Sequence, residues 1–397
     1  MSENKQGIKV LVAGAILQLF LGIIYVWSVF VEPVANHLSW DKGSVKLTSS
    51  FMLCFFAIGI LLGGKIQAKI GTSKVVLMGG LLMAAGILAT SFIPASANFM
   101  VYITYGVIGG LGVGMAYNAV ISCVPRWFPE KRGLVTGISV FSFGFATVLF
   151  APLVKTLIAS FEVVTTFRIL SAVFLVVSVL LFRFIVLPET NTAAAAQLGE
   201  GKQYTTGEMM KTPQFYLIAI AMMVGTAAYF VLNPSFVTLP EERGMSAEMA
   251  TMLVMFTGIA NALGRLAVPL LSDKIGREKA GICVFAAMAL CAGLLVFANG
   301  ALLFAAIAVI VFCYGGTSGL FPLITGKYFG LKHQGSNYGM VMIGFAISAL
   351  VFPIIMGGIE SDLVKYISMA VIAAVGIVIF FVLPNLKQAK VGDAESE

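Results

Sequence analysis

One cation stands where charge is costly. Arg265, in the string Asn261-Ala262-Leu263-Gly264-Arg265-Leu266, lies inside the apolar run 250–271 of a 397-residue chain. Eight residues separate it from Asp273, so on a helix rising 1.5 Å per residue it sits about 12 Å from the polar end of that run. A guanidinium so deep in an apolar phase costs roughly 2.5 to 3.5 kcal/mol, which an anion or a water-filled cavity has to offset. A carboxylate fits the guanidinium fork with two parallel hydrogen bonds. The plainer alternative is a side chain that snorkels to the polar end or pairs there with Asp273. Asn261 lies one turn earlier on the same face and would orient the guanidinium.

Other titratable groups are scarce in the apolar runs. No Asp or Glu falls in the interior of any of them, Glu32 coming closest, and His37 and His333 fall in loops. A metal centre or an acid/base enzyme needs a cluster of such groups, so no enzyme activity, metal or cofactor is expected. The five cysteines, Cys54, Cys123, Cys283, Cys291 and Cys313, lack CxxC spacing and read as packing residues.

The elements that would position Arg265 follow from composition. With 59% apolar and only 11% charged residues, against roughly 25% charged in soluble domains, the chain belongs in a bilayer. Apolar runs of about spanning length occupy 8–30, 45–64, 75–93, 98–123, 134–157 and 166–187, then 215–236, 250–271, 281–298, 301–325, 338–358 and 365–383. The expectation is an all-α membrane protein of twelve transmembrane helices in two six-helix bundles, 1–187 and 213–384. A cytoplasmic linker, 188–212, would let the halves rock, and 385–397 would form a cytoplasmic tail. If the N-terminus is cytoplasmic, inner loops and tails hold 18 of the 25 Lys and Arg, outer loops hold six, and Arg265 is left inside a span. The positive-inside rule therefore sets both termini in the cytoplasm. The net charge of +7 is then a matter of topology and gives no reason to expect a nucleic-acid partner.

The halves repeat. Arg126-Trp127-Phe128 with Gly133 and Gly137 align with Lys327-Tyr328-Phe329, Gly335 and Gly339 at offsets of 201 to 202. Lys69-Ile70-Gly71 aligns with Lys274-Ile275-Gly276 at 205, Tyr25 with Tyr229 at 204, and Pro152 with Pro353 at 201. Paired six-helix repeats are the pattern of carriers whose substrate site lies near the midplane between halves. Gly106, Gly110 and Gly114 have the spacing of close helix packing.

Leu271-Ser272-Asp273-Lys274-Ile275-Gly276-Arg277 resembles the signature loop of the major facilitator superfamily. Its first-half counterpart, Gly64 to Thr72, departs from that pattern with Ala68 in place of the Asp and Thr72 in place of a basic residue. Two longer strings, Tyr25-Val26-Trp27-Ser28-Val29-Phe30 and Gly112 to Gly137 with Arg126-Trp127-Phe128-Pro129-Glu130-Lys131-Arg132-Gly133, resemble the oxalate/formate antiporter family, relatives of the monocarboxylate transporters.

That resemblance implies the major facilitator fold, transport of small carboxylates and a substrate-binding Arg on the eighth helix, matched here by Arg265. Oxalate carriers add a Lys on the eleventh helix, whereas residues 338–358 contain no Lys or Arg. One buried cation suits a monoanion such as lactate, pyruvate or formate. The fold implies that helices one, four, seven and ten line the cavity, offering Gln18 and Tyr25, Tyr117 and Asn118, Tyr229, and Tyr314. Interfacial anchoring or helix packing is the alternative for each Tyr, and an interhelical hydrogen bond for Asn118. Lys155, near an outer helix end, would supply a second cation or snorkel to headgroups. Asp273 and Arg277 are the expected gating residues, with Gly133, Gly137, Gly335 and Gly339 letting helices slide.

An empty cavity would leave Arg265 uncompensated, which favours anion exchange over empty return. The alternatives are a proton-coupled monocarboxylate symporter, a carboxylate sensor acting through a partner, and a carrier of neutral solutes. The expected partners are a small carboxylate anion and membrane lipid, the expected state a monomer, and the expected location a bacterial-type cytoplasmic membrane.

Overall fold

Lipid offers no partner to a backbone amide, so a chain this apolar has to satisfy its peptide groups within helices. The computed structural model describes residues 3–188, 202–236 and 238–386, and all of its spans are helical. The middle of the expected linker, 189–201, and the end of the expected tail, 387–397, lie outside the described residues.

Helix α1 runs Glu3–Leu21, tightens into a 3₁₀ turn at Gly22–Val26 and resumes as Trp27–His37. Next come α2 (Lys42–Ile70), α3 (Thr72–Thr90) and α4, which joins a π-helical stretch, Tyr102–Gly109, to Gly110–Cys123. The helix Arg132–Leu181 has 50 residues, about 75 Å at 1.5 Å each, more than twice the thickness of a hydrocarbon core. It breaks at Glu162, where φ is 62° and ψ 168°, into α5 (132–161) and α6 (163–181). The second half supplies α7 (Pro213–Leu232), α8 (Ala247–Ile275), α9 (Arg277–Leu294), α10 (Gly300–Phe329), α11 (Gln334–Gly357) and α12 (Asp362–Val382). Among the described residues, ten helices are long and apolar enough to span as they stand. Dividing the long one adds an eleventh span, and α9, whose first turn carries Arg277, Glu278 and Lys279, is the twelfth.

Helix ends follow local chemistry. Asp41 Oδ2 accepts the Ser44 amide at 2.8 Å to open α2, and Thr212 and Ser246 cap α7 and α8 in the same way. Gly71 and Gly276, at φ 89° and 91°, make the tight turns after α2 and α8 that a side chain would strain.

The chain divides into two compact units, Met1–Glu130 with Ile138–Leu198, and Lys131–Gly137 with Gly199–Glu397. In the first, glycines bring helix backbones together. A Cβ at Gly110 would lie 2.6 Å from Met52 O on α2, and one at Gly112 would lie 2.5 Å from Gly79 O on α3. The second unit includes the first turn of α5. It also includes the end of the linker, which is hydrogen-bonded to α10, to the loop after it and to α11. Tyr204 N donates to Phe329 O (3.0 Å), Asn337 Nδ2 donates to Tyr204 O (3.0 Å), Lys332 N donates to Gln203 Oε1 (3.0 Å), and Thr206 Oγ1 donates to Asn337 Oδ1 (3.0 Å). A one-turn helix, Thr206–Met209, follows with a reciprocal Thr205/Glu208 cap. Hydrogen bonds from the Thr205 backbone and side chain hold the Glu208 carboxyl below its ordinary 4.5.

Candidate functional site

The second unit assembles its polar layer on α8 and α10. Gly264 of α8 fits against Phe312 O of α10. In return Gly315 fits against Asn261 O, Gly316 against Val268, and Gly319 against Arg265 O and Pro269. Side chains at these glycines would hold the two backbones apart, so the string Gly315-Gly316-Thr317-Ser318-Gly319 lets α10 lie on the turn of α8 that carries Asn261 and Arg265. Arg265 is 2% exposed, and its Nε donates to Asn261 Oδ1 at 2.9 Å. That bond, one turn toward the start of α8, draws the guanidinium away from the end of the helix that bears Asp273.

Depth along the helices places the neighbours. One end of the unit gathers the C-termini of α8 and α10 and the N-termini of α7 and α11. There Lys327 Nζ meets both Glu278 carboxylate oxygens at 2.6 and 2.7 Å, Tyr328 donates to Glu278 at 2.9 Å, and Tyr204 is tied to Phe329 and Asn337. From that end Arg265 lies ten residues along α8, Asn261 fourteen, Tyr314 fifteen along α10 and Tyr229 sixteen along α7. At 1.5 Å per residue these are depths of about 15 to 24 Å, the middle of the unit. Tyr229 and Tyr314 stack with centroids 3.8 Å apart and planes at 6°. Phe230 meets Tyr314 at 5.9 Å and Phe345 of α11 at 5.2 Å. Four residues expected from sequence, Arg265, Asn261, Tyr229 and Tyr314, thus lie midway along the helices of the second unit, with Phe230 beside the tyrosine pair.

In the first unit the expected residues gather about Phe143. The rings of Tyr117 and Tyr25 contact it at 4.7 and 5.4 Å, and Gln18 Nε2 donates to Tyr117 O at 3.3 Å. Gln18 is fully buried, and its Oε1 has no partner among the described residues. Asn118 Nδ2 donates to Ile60 O at 2.7 Å, an interhelical bond between α4 and α2. Lys155 is exposed.

Asp273 occupies the N-terminus of α5. Its Oδ1 and Oδ2 accept the amides of Gly133 at 3.0 Å and Leu134 at 3.1 Å, where helix-end amides favour an anion. A Cβ at Gly133 would collide with that carboxylate, and one at Gly137 would lie 3.0 Å from Leu266 O. Arg132 and Arg277 lie within electrostatic reach of Asp273. Gly335 and Gly339 are buried in the first turns of α11.

Sequence reading missed the reciprocal glycines of α8 and α10, the Phe230 and Phe345 rings, and the tie between linker and α11. The Gly315-Gly316-Thr317-Ser318-Gly319 string and the Thr205-to-Glu208 spacing were the available signals.

The sequence profile of the Major Facilitator Superfamily matches residues 12–353 and 218–396. The chain is 28% identical over 346 residues to the MFS-type transporter YhjX of Escherichia coli K12, covering 86% of this chain and 85% of that one. It is 26% identical over 332 residues to the oxalate:formate antiporter of Oxalobacter formigenes, covering 83% and 79%. The proton:xylose symporter XylE superposes with a TM-score of 0.72 at 18% identity, covering 97% of each chain.

Proposed function

The chain belongs to the Major Facilitator Superfamily, and from that premise we propose that it is a secondary active carrier of small monocarboxylates that works by alternating access and anion exchange. The observation that carries the reading is Arg265. It is a guanidinium buried midway along α8 in the second unit and steadied by Asn261. A carboxylate is the counter-charge that its fork fits best. The similarity to the oxalate:formate antiporter supports a carboxylate substrate. The lack of Lys or Arg on α11 favours one negative charge over two, because a second carboxylate would be left buried and unpaired.

Exchange follows from the same cation. With substrate bound, Arg265 is neutralised as the site closes. With no substrate, closing the site buries a net positive charge, and the return step is slow. Asp273 serves as a latch that holds the start of α5 to α8 in one conformation and releases it in another. The excess of basic residues in alternate loops orients both termini toward the cytoplasm of a bacterial-type membrane.

The test is uptake of labelled pyruvate or lactate into proteoliposomes with and without internal unlabelled acid. Internal acid is expected to accelerate uptake strongly, and Arg265→Gln to abolish it. Equal rates in loaded and empty vesicles would reject exchange, and transport surviving in Arg265→Gln would reject the carboxylate grip.

A further inference from the structure

The turn between α2 and α3 carries cations and no acid. Lys65 and Lys69 lie near the end of α2 and Lys74 in the first turn of α3, all three exposed, and no Asp or Glu occurs between Asp41 and Glu130. In this loop Ala68 stands where the second half has Asp273. Arg183, also exposed, joins the lysines, because Ser73 Oγ donates to Ile185 O at 2.7 Å and holds the chain just past α6 against the start of α3. Four exposed cations thus gather at one end of the first unit, and among the described residues none of them forms an ion pair.

A groove leads away from Lys74 along α3. Leu77, Met78, Leu81, Leu82 and Ala85 share a helix face with Lys74 and line an open groove of about 370 Å³. The other faces of α3 are taken. Gly79 fits against Gly112 O and Gly86 against Thr104 O of α4, a Cβ at Gly80 would collide with Ser178 of α6, and Ser171 Oγ of α6 donates to Ala84 O at 2.8 Å. From Lys74 to Ala85 is eleven residues, or about 17 Å at 1.5 Å each. One leaflet of a hydrocarbon core about 30 Å thick is about 15 Å deep, so the groove has the length of a single acyl chain.

We propose that this groove is a binding site for an anionic phospholipid, with its phosphate on Lys74 and one acyl chain along Leu77, Leu81 and Ala85. A lysine stem lies on apolar surface while its ammonium reaches a headgroup. Exposed cations beside a spanning helix attract anionic lipid, each worth about fivefold in affinity. A zwitterionic headgroup brings its own cation to the four basic side chains and loses that attraction. A second copy of this chain is a poorer occupant, because a two-fold contact on this face would set the same four cations against each other. The site is independent of which solute the chain carries and of which side of the membrane this end meets.

The experiment is native mass spectrometry of the purified full-length chain with dioleoyl phosphatidylglycerol and dioleoyl phosphatidylcholine, read as the first lipid bound, with thermal unfolding alongside. Phosphatidylglycerol is expected to bind at least about fivefold more tightly than phosphatidylcholine and to raise the unfolding temperature. In Lys74→Gln its affinity is expected to fall about fivefold. Ala85→Trp, which fills the far end of the groove, is expected to weaken both lipids. Lys46→Gln removes an exposed cation at the other end of α2 and is expected to leave binding unchanged. Equal binding of the two lipids by the wild-type chain overturns the proposal, as does phosphatidylglycerol affinity that survives in Lys74→Gln or falls equally in Lys46→Gln. Unchanged binding in Ala85→Trp overturns it too, since the chain would then have no seat on α3. A lipid-free dimer that dissociates in Ala85→Trp would give the face to a second copy and refute the lipid site.

Discussion

Gly315→Ala puts the architecture of the Arg265 layer to the test without removing a polar group. A methyl at this position would run into Asn261 O and lie 2.8 Å from Asn261 Oδ1, the atom that accepts from Arg265 Nε. Ordinary contact needs about 3.4 Å, so either α10 backs away from α8 or the amide rotates off the guanidinium. The first response overpacks a close helix pair and costs about 1 to 3 kcal/mol of stability. The second loses a hydrogen bond to a charged group, about 1.5 to 3 kcal/mol, or roughly ten- to a hundredfold in substrate affinity. Gly258→Ala on the same α8 is the control, because a Cβ there meets nothing within 4 Å among the described residues. It is expected to be neutral or slightly stabilising, by up to about 1 kcal/mol. Thermal unfolding and pyruvate binding of both variants are the assays. Wild-type affinity and stability in Gly315→Ala would refute the claim that α10 sets the orientation of Arg265 through Asn261.

Two other features yield further predictions. Glu162→Gly is expected to stabilise the chain by about 1 kcal/mol in thermal unfolding, because φ 62° with ψ 168° is a region that glycine occupies without strain, and a lower transition temperature would count against that strain. Asp273→Asn keeps the shape of the side chain but loses the charge that binds two helix-end amides, so hydrogen exchange at Gly133 and Leu134 should speed up. Unchanged exchange would mean that the carboxylate does not hold the start of α5.

The twelve spans were readable because lipid imposes one solution on long apolar runs, and Arg265 was readable because charge is so rare within them. Its link to Asn261 followed from helical spacing alone. Its support on α10 did not, because glycines that let backbones touch look the same in sequence as glycines in any tightly packed membrane helix. The break at Glu162 was hidden for a related reason: a glutamate carries no signal for a left-handed backbone. Tyr204 and Asn337 lie in a polar stretch and at a helix start, 133 residues apart, and no local pattern announces that they meet.

The choice of arginine over lysine bears directly on exchange. A lysine buried in the same layer can shed its proton, since desolvation lowers its pKa, whereas a guanidinium keeps its charge. With Arg265 and no acid in the interior of any apolar run of the sequence, the proposed site has no neutral form when empty, so under the proposed mechanism its closure buries a net charge. Arg265→Lys loses the bidentate grip, and exchange is expected to drop steeply. The remaining transport should differ in kind, because the neutral amine permits return without substrate. Dependence on internal anion should weaken as the pH rises through the lowered lysine pKa, and it should be strongest at acid pH, where the ammonium persists. The measurement is the ratio of uptake into loaded and empty proteoliposomes from pH 6 to pH 9. A ratio in Arg265→Lys that stays at the wild-type value and flat with pH would show that the charge of the empty site does not govern the return step.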